Sequence, residues 1–168
     1  MHTRGQSKGE PMSGDAGRPN NQVQGRSMGE QVRGPILLVD DADMLRSLIA
    51  EGLRKRFPDI QVVEAQNVAE GYQRARQYRP QLAILDVSMP DGNGFDLSRR
   101  ILEELPDTLV CICTLHDEPV FRDVAADSGA TWFIAKQGDF WNDTECVVRS
   151  AFNGKCGGTE GCEGVSLR

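Results

Sequence analysis

The sequence predicts an α/β domain built on one doubly wound parallel sheet. Five short apolar runs recur along the chain, with stretches of helical period between them. Three of those runs are apolar at consecutive positions rather than at every second one, as strands covered on both faces are. A β-α unit repeated five times forms a parallel sheet with right-handed crossovers and helices on both faces.

Each element has its own signal. "ILLVD" (36–40) is the first strand. Residues 43–57 place Leu45, Leu48, Ile49 and Leu53 on one helical face, and Arg54, Lys55 and Arg56 sit near its end, where cations suit the helix dipole. Pro58 stops this helix. "IQVVEA" (60–65) is the second strand, and Asn67 with Glu70 reads as a capping box opening a helix to Tyr78. "LAILD" (82–86) is the third strand, followed by the turn "MPDGNG" (89–94) and a helix over 94–105. "LVCICT" (109–114), a helix over 118–128, "TWFIA" (131–135) and a helix over 139–152 complete the set.

The flanks differ from this core. Residues 1–34 contain no aromatic residue and no apolar run, and residues 153–168 are similar. Both are expected to be disordered tails around a packed domain at 35–152. Of 19 Lys and Arg and 25 Asp and Glu, the first segment holds five and three and the last holds two and two. The core therefore carries 12 against 20, an acidic balance that disfavours direct DNA binding and suits a cation or a basic protein partner. No membrane span or secretory signal is visible, so the cytoplasm is expected. Cys111 and Cys113 lie in an apolar run and read as buried thiols, whereas Cys156 and Cys162 lie in the tail at a spacing that fits no zinc pattern.

Ligands of such sheets sit beyond the carboxyl ends of the strands, where strand order reverses. Asp40 and Asp41 end the first strand, Asp86 the third and Thr114 the fourth, and Lys136 follows the fifth. In the flavodoxin-like order 2-1-3-4-5 the first and third strands are neighbours, and three carboxylates meet in one cleft. Two unit charges ~4 Å apart repel by about 4 kcal/mol at an effective dielectric near 20. Such a cluster raises a carboxylate pKa or binds a hard cation such as Mg2+. A metal beside a strand-end Asp, a hydroxyl and a lysine suits phosphoryl transfer, with Asp86 as nucleophile and Lys136 and Thr114 facing the phosphoryl oxygens.

"LLVDDADMLR", "LAILDVSMPDGNGFDL", "CTLHD" and "GATWFIAK", in this order and spacing, resemble the receiver domain of bacterial two-component response regulators. The resemblance spans 35–152 and implies phosphorylation of Asp86 by a histidine kinase or phosphotransfer protein. It implies Mg2+ held by Asp41, Asp86 and the backbone carbonyl of Ser88, with Asp40 acting mainly through water. Phe133 takes the place of the switch aromatic, rotating inward when phosphate draws Thr114 in, which repacks the face of the fourth helix, fifth strand and fifth helix. Trp132 is the alternative holder of the exposed aromatic role. The face of helices 4 and 5 is the expected surface for a downstream protein, with helix 1 meeting the phosphodonor and the chain a monomer or phosphorylation-dependent dimer.

Two residues depart from the family pattern. Leu115 follows Thr114 where a small residue is usual, and Gln137-Gly138 follow Lys136 where proline is common. "TLHDE" (114–118) resembles the branch with a LuxR-type DNA-binding output, but only 16 residues follow the fifth helix, so a stand-alone receiver without that output, a signalling module and not an enzyme, is expected. A phosphate-independent adaptor is the alternative. A Mg2+-dependent phosphatase needs a general acid two residues past the nucleophile, where Ser88 stands. His116, just past Thr114, reads as a solvated loop histidine.

Overall fold

The computed structural model describes residues 34–153 and 164–167. The elements run β1 (Ile36–Val39), α1 (Asp43–Arg56), β2 (Val62–Ala65), α2 (Val68–Tyr78), β3 (Leu82–Leu85), β4 (Ser88–Met89), β5 (Gly92–Asn93), α3 (Gly94–Glu104), β6 (Leu109–Thr114), α4 (Pro119–Asp127), β7 (Trp132–Ala135) and α5 (Phe140–Asn153). One parallel five-stranded sheet has the order β2-β1-β3-β6-β7. With the small β4-β5 hairpin set aside, this is the predicted order 2-1-3-4-5. The hairpin occupies the expected turn, its two short strands pairing Ser88 with Asn93 and Met89 with Gly92.

Consecutive apolar positions on β1 and β3 are explained by two cores, one on each face. Leu37, Val39, Leu85 and Phe133 pack on one face with Val68, Leu97 and Ala125 from α2, α3 and α4. Ile36, Leu38, Ile84 and Trp132 pack on the other with Ile49 and Leu53 of α1 and Val147 and Val148 of α5. The helix ends follow their sequence signals. The Asn67 side chain accepts the Glu70 N–H, Asn93 accepts the Asp96 N–H, and α1 stops at Arg56, two residues before Pro58. Gly52 of α1 lies against Trp141 of α5, where an added Cβ would stand 2.1 Å from the indole.

Cys111 and Cys113 are free and buried, as expected, and Cys146 is disulfide-bonded. Cys156 and Cys162 lie outside the described residues, as do residues 1–33 of the expected leader. The expectation of a disordered tail does not hold for residues 164–167. The Phe133 N–H donates to the Val165 carbonyl at 2.8 Å, the Leu167 N–H donates to the Thr131 carbonyl at 3.0 Å, and Trp132 and Ser166 form an antiparallel bridge. An edge strand leaves backbone groups open, and this short segment satisfies two of them. Among the described residues, no helix is long and apolar enough to cross a membrane.

Candidate functional site

The ladder carries the acidic residues to one edge of the sheet. The Asp40 N–H bonds the Ala65 carbonyl and the Asp86 N–H bonds the Val39 carbonyl, so both residues continue the register of adjacent strands β1 and β3. At the far side the Lys136 N–H bonds the Thr114 carbonyl, which seats Lys136 directly beyond β7. Its Nζ reaches across to Oδ2 of Asp40 at 2.6 Å and Oδ1 of Asp86 at 2.7 Å. Asp40 is 1% exposed and Asp86 7%. The remaining oxygens are also engaged: Ala42 N–H donates to Oδ1 of Asp40, and Ser88 N–H donates to Oδ2 of Asp86.

The electrostatics follow from this burial. Desolvation raises the pKa of Asp86, outweighing the hydrogen bond and charge of Lys136 that pull it down. Burial alone would lower the Lys136 pKa, but its hydrogen bonds to Asp40 and Asp86 carry it above the ordinary value. Beneath them, burial pushes the Cys113 thiol up to about 12. Asp41 is exposed, and ligand atoms of Asp40, Asp41 and Asp86 all lie within 4.8 Å of one another. This clustered oxygen set, open to water at Asp41, fits a hard divalent cation.

Thr114 is buried at the end of β6. Its Oγ1 accepts the His116 N–H at 3.3 Å, rather than lying in hydrogen bond with Asp86. Ile112 pairs with Phe133 across β6 and β7, so alternation along β6 puts Thr114 on the same sheet face as Phe133, one diagonal step away. Phe133 is fully buried, with the Arg122 guanidinium 4.7 Å from its ring centre. The ring lies inside the domain in this structure. Trp132 does not hold an exposed role either, being 8% exposed. His116 is exposed and stacks on Phe121 at 4.8 Å.

The two departures from the family pattern touch each other. The Gln137 side-chain amide donates to the Leu115 carbonyl at 2.8 Å, linking the loops after β6 and β7. Gly138 has φ of +62°, a left-handed turn that glycine adopts without strain and proline cannot. Leu115 itself projects outward, 60% exposed.

Three residues beside the site were not singled out from sequence. Asp91, in the hairpin turn, accepts the N–H groups of Val68 and Ala69 at the start of α2, and these bonds hold its pKa below the usual carboxylate value. Gly94 sits where a Cβ would come within 2.1 Å of the Asp86 carbonyl, so only glycine lets α3 start this close to the site. Arg122 of α4 covers Phe133 and also bonds the Asp117 carboxylate and the Gly164 carbonyl. A helix N-terminus in need of acceptors beside an acidic turn was a readable signal for Asp91; Gly94 and Arg122 depend on contacts that only the fold creates.

Comparison with known proteins agrees with this geometry. The family profile described as response regulator receiver domain matches residues 36–142. The DNA-binding transcriptional activator DevR/DosR of Mycobacterium tuberculosis is 38% identical over 104 residues, covering 60% of this chain and 46% of that protein. The chemotaxis protein CheY of Thermotoga maritima is 27% identical over 101 residues, covering 60% of this chain and 83% of its own length. A solved LuxR-family response regulator from Aurantimonas sp. SI85-9A1 superposes with a TM-score of 0.65 at 26% identity, covering 71% of this chain and 85% of that one. The chain spans about half the length of several of the curated relatives it matches. From its strand order, its strand-end carboxylates and this profile match, the chain belongs to the response regulator receiver family.

Proposed function

We propose that the chain is a phosphoacceptor, taking a phosphoryl group on Asp86 from the phosphohistidine of a histidine kinase or phosphotransfer protein. It passes the signal on by contact of α4 and α5 with a downstream protein, without binding DNA itself. The observation that carries this reading is the Lys136 ammonium held within 2.7 Å of both Asp40 and Asp86. A cation fixed between buried carboxylates lets an anionic donor approach a pocket that would otherwise repel it. In the transfer, an Asp86 carboxylate oxygen forms the new O–P bond while the P–N bond to the donor imidazole breaks, and the imidazole leaves with the electron pair. Lys136 stays against charge on the phosphoryl oxygens, and the Thr114 hydroxyl turns from the His116 amide to donate to one of them. Asp41, Asp86 and the Ser88 carbonyl, with Asp40 through water, would hold Mg2+, which neutralises the oxygens of the transferred group when bound.

Receiver domains are signalling modules rather than ordinary enzymes, and the chemistry of this chain is its own catalysis of phosphoryl transfer from the donor and of its dephosphorylation. The switch is a repacking around Phe133, already buried under Arg122, as Thr114 moves on the same sheet face. A phosphate-independent adaptor is the second reading, favoured by the Gln137–Leu115 hydrogen bond that ties together the two loops expected to move. Incubation with acetyl phosphate and Mg2+ decides between them. Labelling of the wild type that is lost in Asp86→Asn supports the phosphoacceptor, labelling that persists places the nucleophile elsewhere, and no labelling of the wild type supports the adaptor.

A further inference from the structure

The β7 edge is the one place where the described chain adds a segment from outside the β-α repeat. Gly164–Leu167 lies along it through the Val165 carbonyl, the Leu167 N–H and the Trp132–Ser166 bridge. Val165 is 3% exposed and packs with Trp132, while Leu167 packs against the core cluster that contains Phe133. The Arg122 guanidinium donates to the Gly164 carbonyl at 2.8 Å while lying over the Phe133 ring. Segment, α4 and β7 are thus joined at one arginine.

We propose that the β7 edge is a docking site for an extended peptide segment, and that Gly164–Leu167 of this chain is its resident occupant. Backbone pairing supplies the grip and the buried Val165 side chain supplies the selectivity, the mode by which extended peptides add to sheet edges. Because the occupant is tethered a short distance from α5, its effective concentration at the edge is on the order of millimolar. A downstream protein using the α4–β7–α5 face must displace it, so the segment lowers that protein's apparent affinity by the fraction of chains in which the edge is free. This last step deepens the function proposed above and rests on it; the occupancy itself does not.

Amide hydrogen exchange of the full-length chain, without reductant so that the Cys146 disulfide stays intact, tests the occupancy. The Phe133 amide reports the segment, because its bond runs to Val165, whereas the Thr131 amide bonds Val110 and the Lys136 amide bonds Thr114 inside the sheet. In Val165→Asp, the Phe133 amide is expected to exchange at least about tenfold faster while the Thr131 and Lys136 amides keep their protection. A chain ending at residue 163 is expected to behave likewise, and adding the acetylated peptide of residues 164–168 at millimolar concentration to restore protection. Unchanged Phe133 protection in both variants overturns the proposal. Protection that rises with protein concentration also overturns it, in favour of segments exchanged between two copies. The same measurement on Asp86→Asn separates the two readings: lost labelling by acetyl phosphate with intact Phe133 protection is expected, whereas failure of wild-type labelling sinks the phosphoacceptor reading and leaves the occupancy standing.

Discussion

Lys136 is the residue on which the pocket's electrostatics turn, since its ammonium lies within 2.7 Å of two carboxylates that are almost fully enclosed. Removing one partner of a buried ion pair leaves uncompensated charge and typically costs about 3–5 kcal/mol. Lys136→Met is therefore expected to lower stability by about that amount at pH 8, measured by urea unfolding. The pH dependence has a definite sign. The folded-state pKa of Asp86 is already raised above 3.8, so the folded chain holds a proton more tightly than the unfolded one, and stability declines as pH rises through that window. Without Lys136 the window widens, and the deficit of Lys136→Met is expected to be smaller at pH 5 than at pH 8; an equal deficit would mean that charge is not its cause. For the wild type, the raised Lys136 pKa adds stability that is present below 10.5 and lost as pH climbs past it. Mg2+ at a hundredfold excess over its dissociation constant is expected to stabilise the fold by about 2.7 kcal/mol. Asp41→Ala is expected to weaken that response, and an unchanged thermal shift would remove Asp41 from the ligand set. Asp40, Asp41, Asp86 and Lys136 were legible because polar residues at the ends of apolar runs fall on one sheet edge once the strand order is assumed. The buried starting position of Phe133 was not legible, because strand alternation gives a side chain's face but not the cover that Arg122 provides.

At the scale of elements, the β4-β5 hairpin sets the floor of the site. Gly94 and Asp91 anchor it from opposite ends, one by allowing α3 to begin against the Asp86 carbonyl, the other by capping α2. Gly94→Ala forces a Cβ into backbone, and overpacking of this kind typically costs about 1–3 kcal/mol. The variant is expected to unfold at correspondingly lower urea and to slow labelling of Asp86 by acetyl phosphate, because the backbone carrying the carboxylate must shift. Unchanged labelling at reduced stability would show that the strain is absorbed in α3 instead. The helices and major strands were legible from period, caps and Pro58, with ends differing by at most two residues. The hairpin was visible only as a turn, since two-residue strands carry no period, and the pairing of Gly164–Leu167 had no local signal in so glycine-rich a stretch.

At the scale of the whole molecule, the sheet order sets the candidate site beside the face proposed for signalling. β1 and β3 bring the carboxylates together in the middle of the sheet, and Lys136 directly follows the edge strand β7, whose Phe133 faces the α4 side and whose Trp132 faces the α5 side. Among the described residues, both cores are built from positions between 36 and 167. Deletion of residues 1–33 is accordingly expected to leave labelling by acetyl phosphate and the melting temperature unchanged, and a loss of either would assign that segment a part in the domain. The parallel architecture was legible from sequence because consecutive apolar runs admit few alternatives, whereas the covering of the β7 edge depends on residues remote from it in the chain. The Cys113 thiol is closed in beneath the pocket, and burial pushes its pKa up to about 12. At neutral pH it presents no thiolate to alkylating reagents. A spectroscopic probe can therefore be attached through an engineered surface cysteine without modification of this one silencing the carboxylate above it.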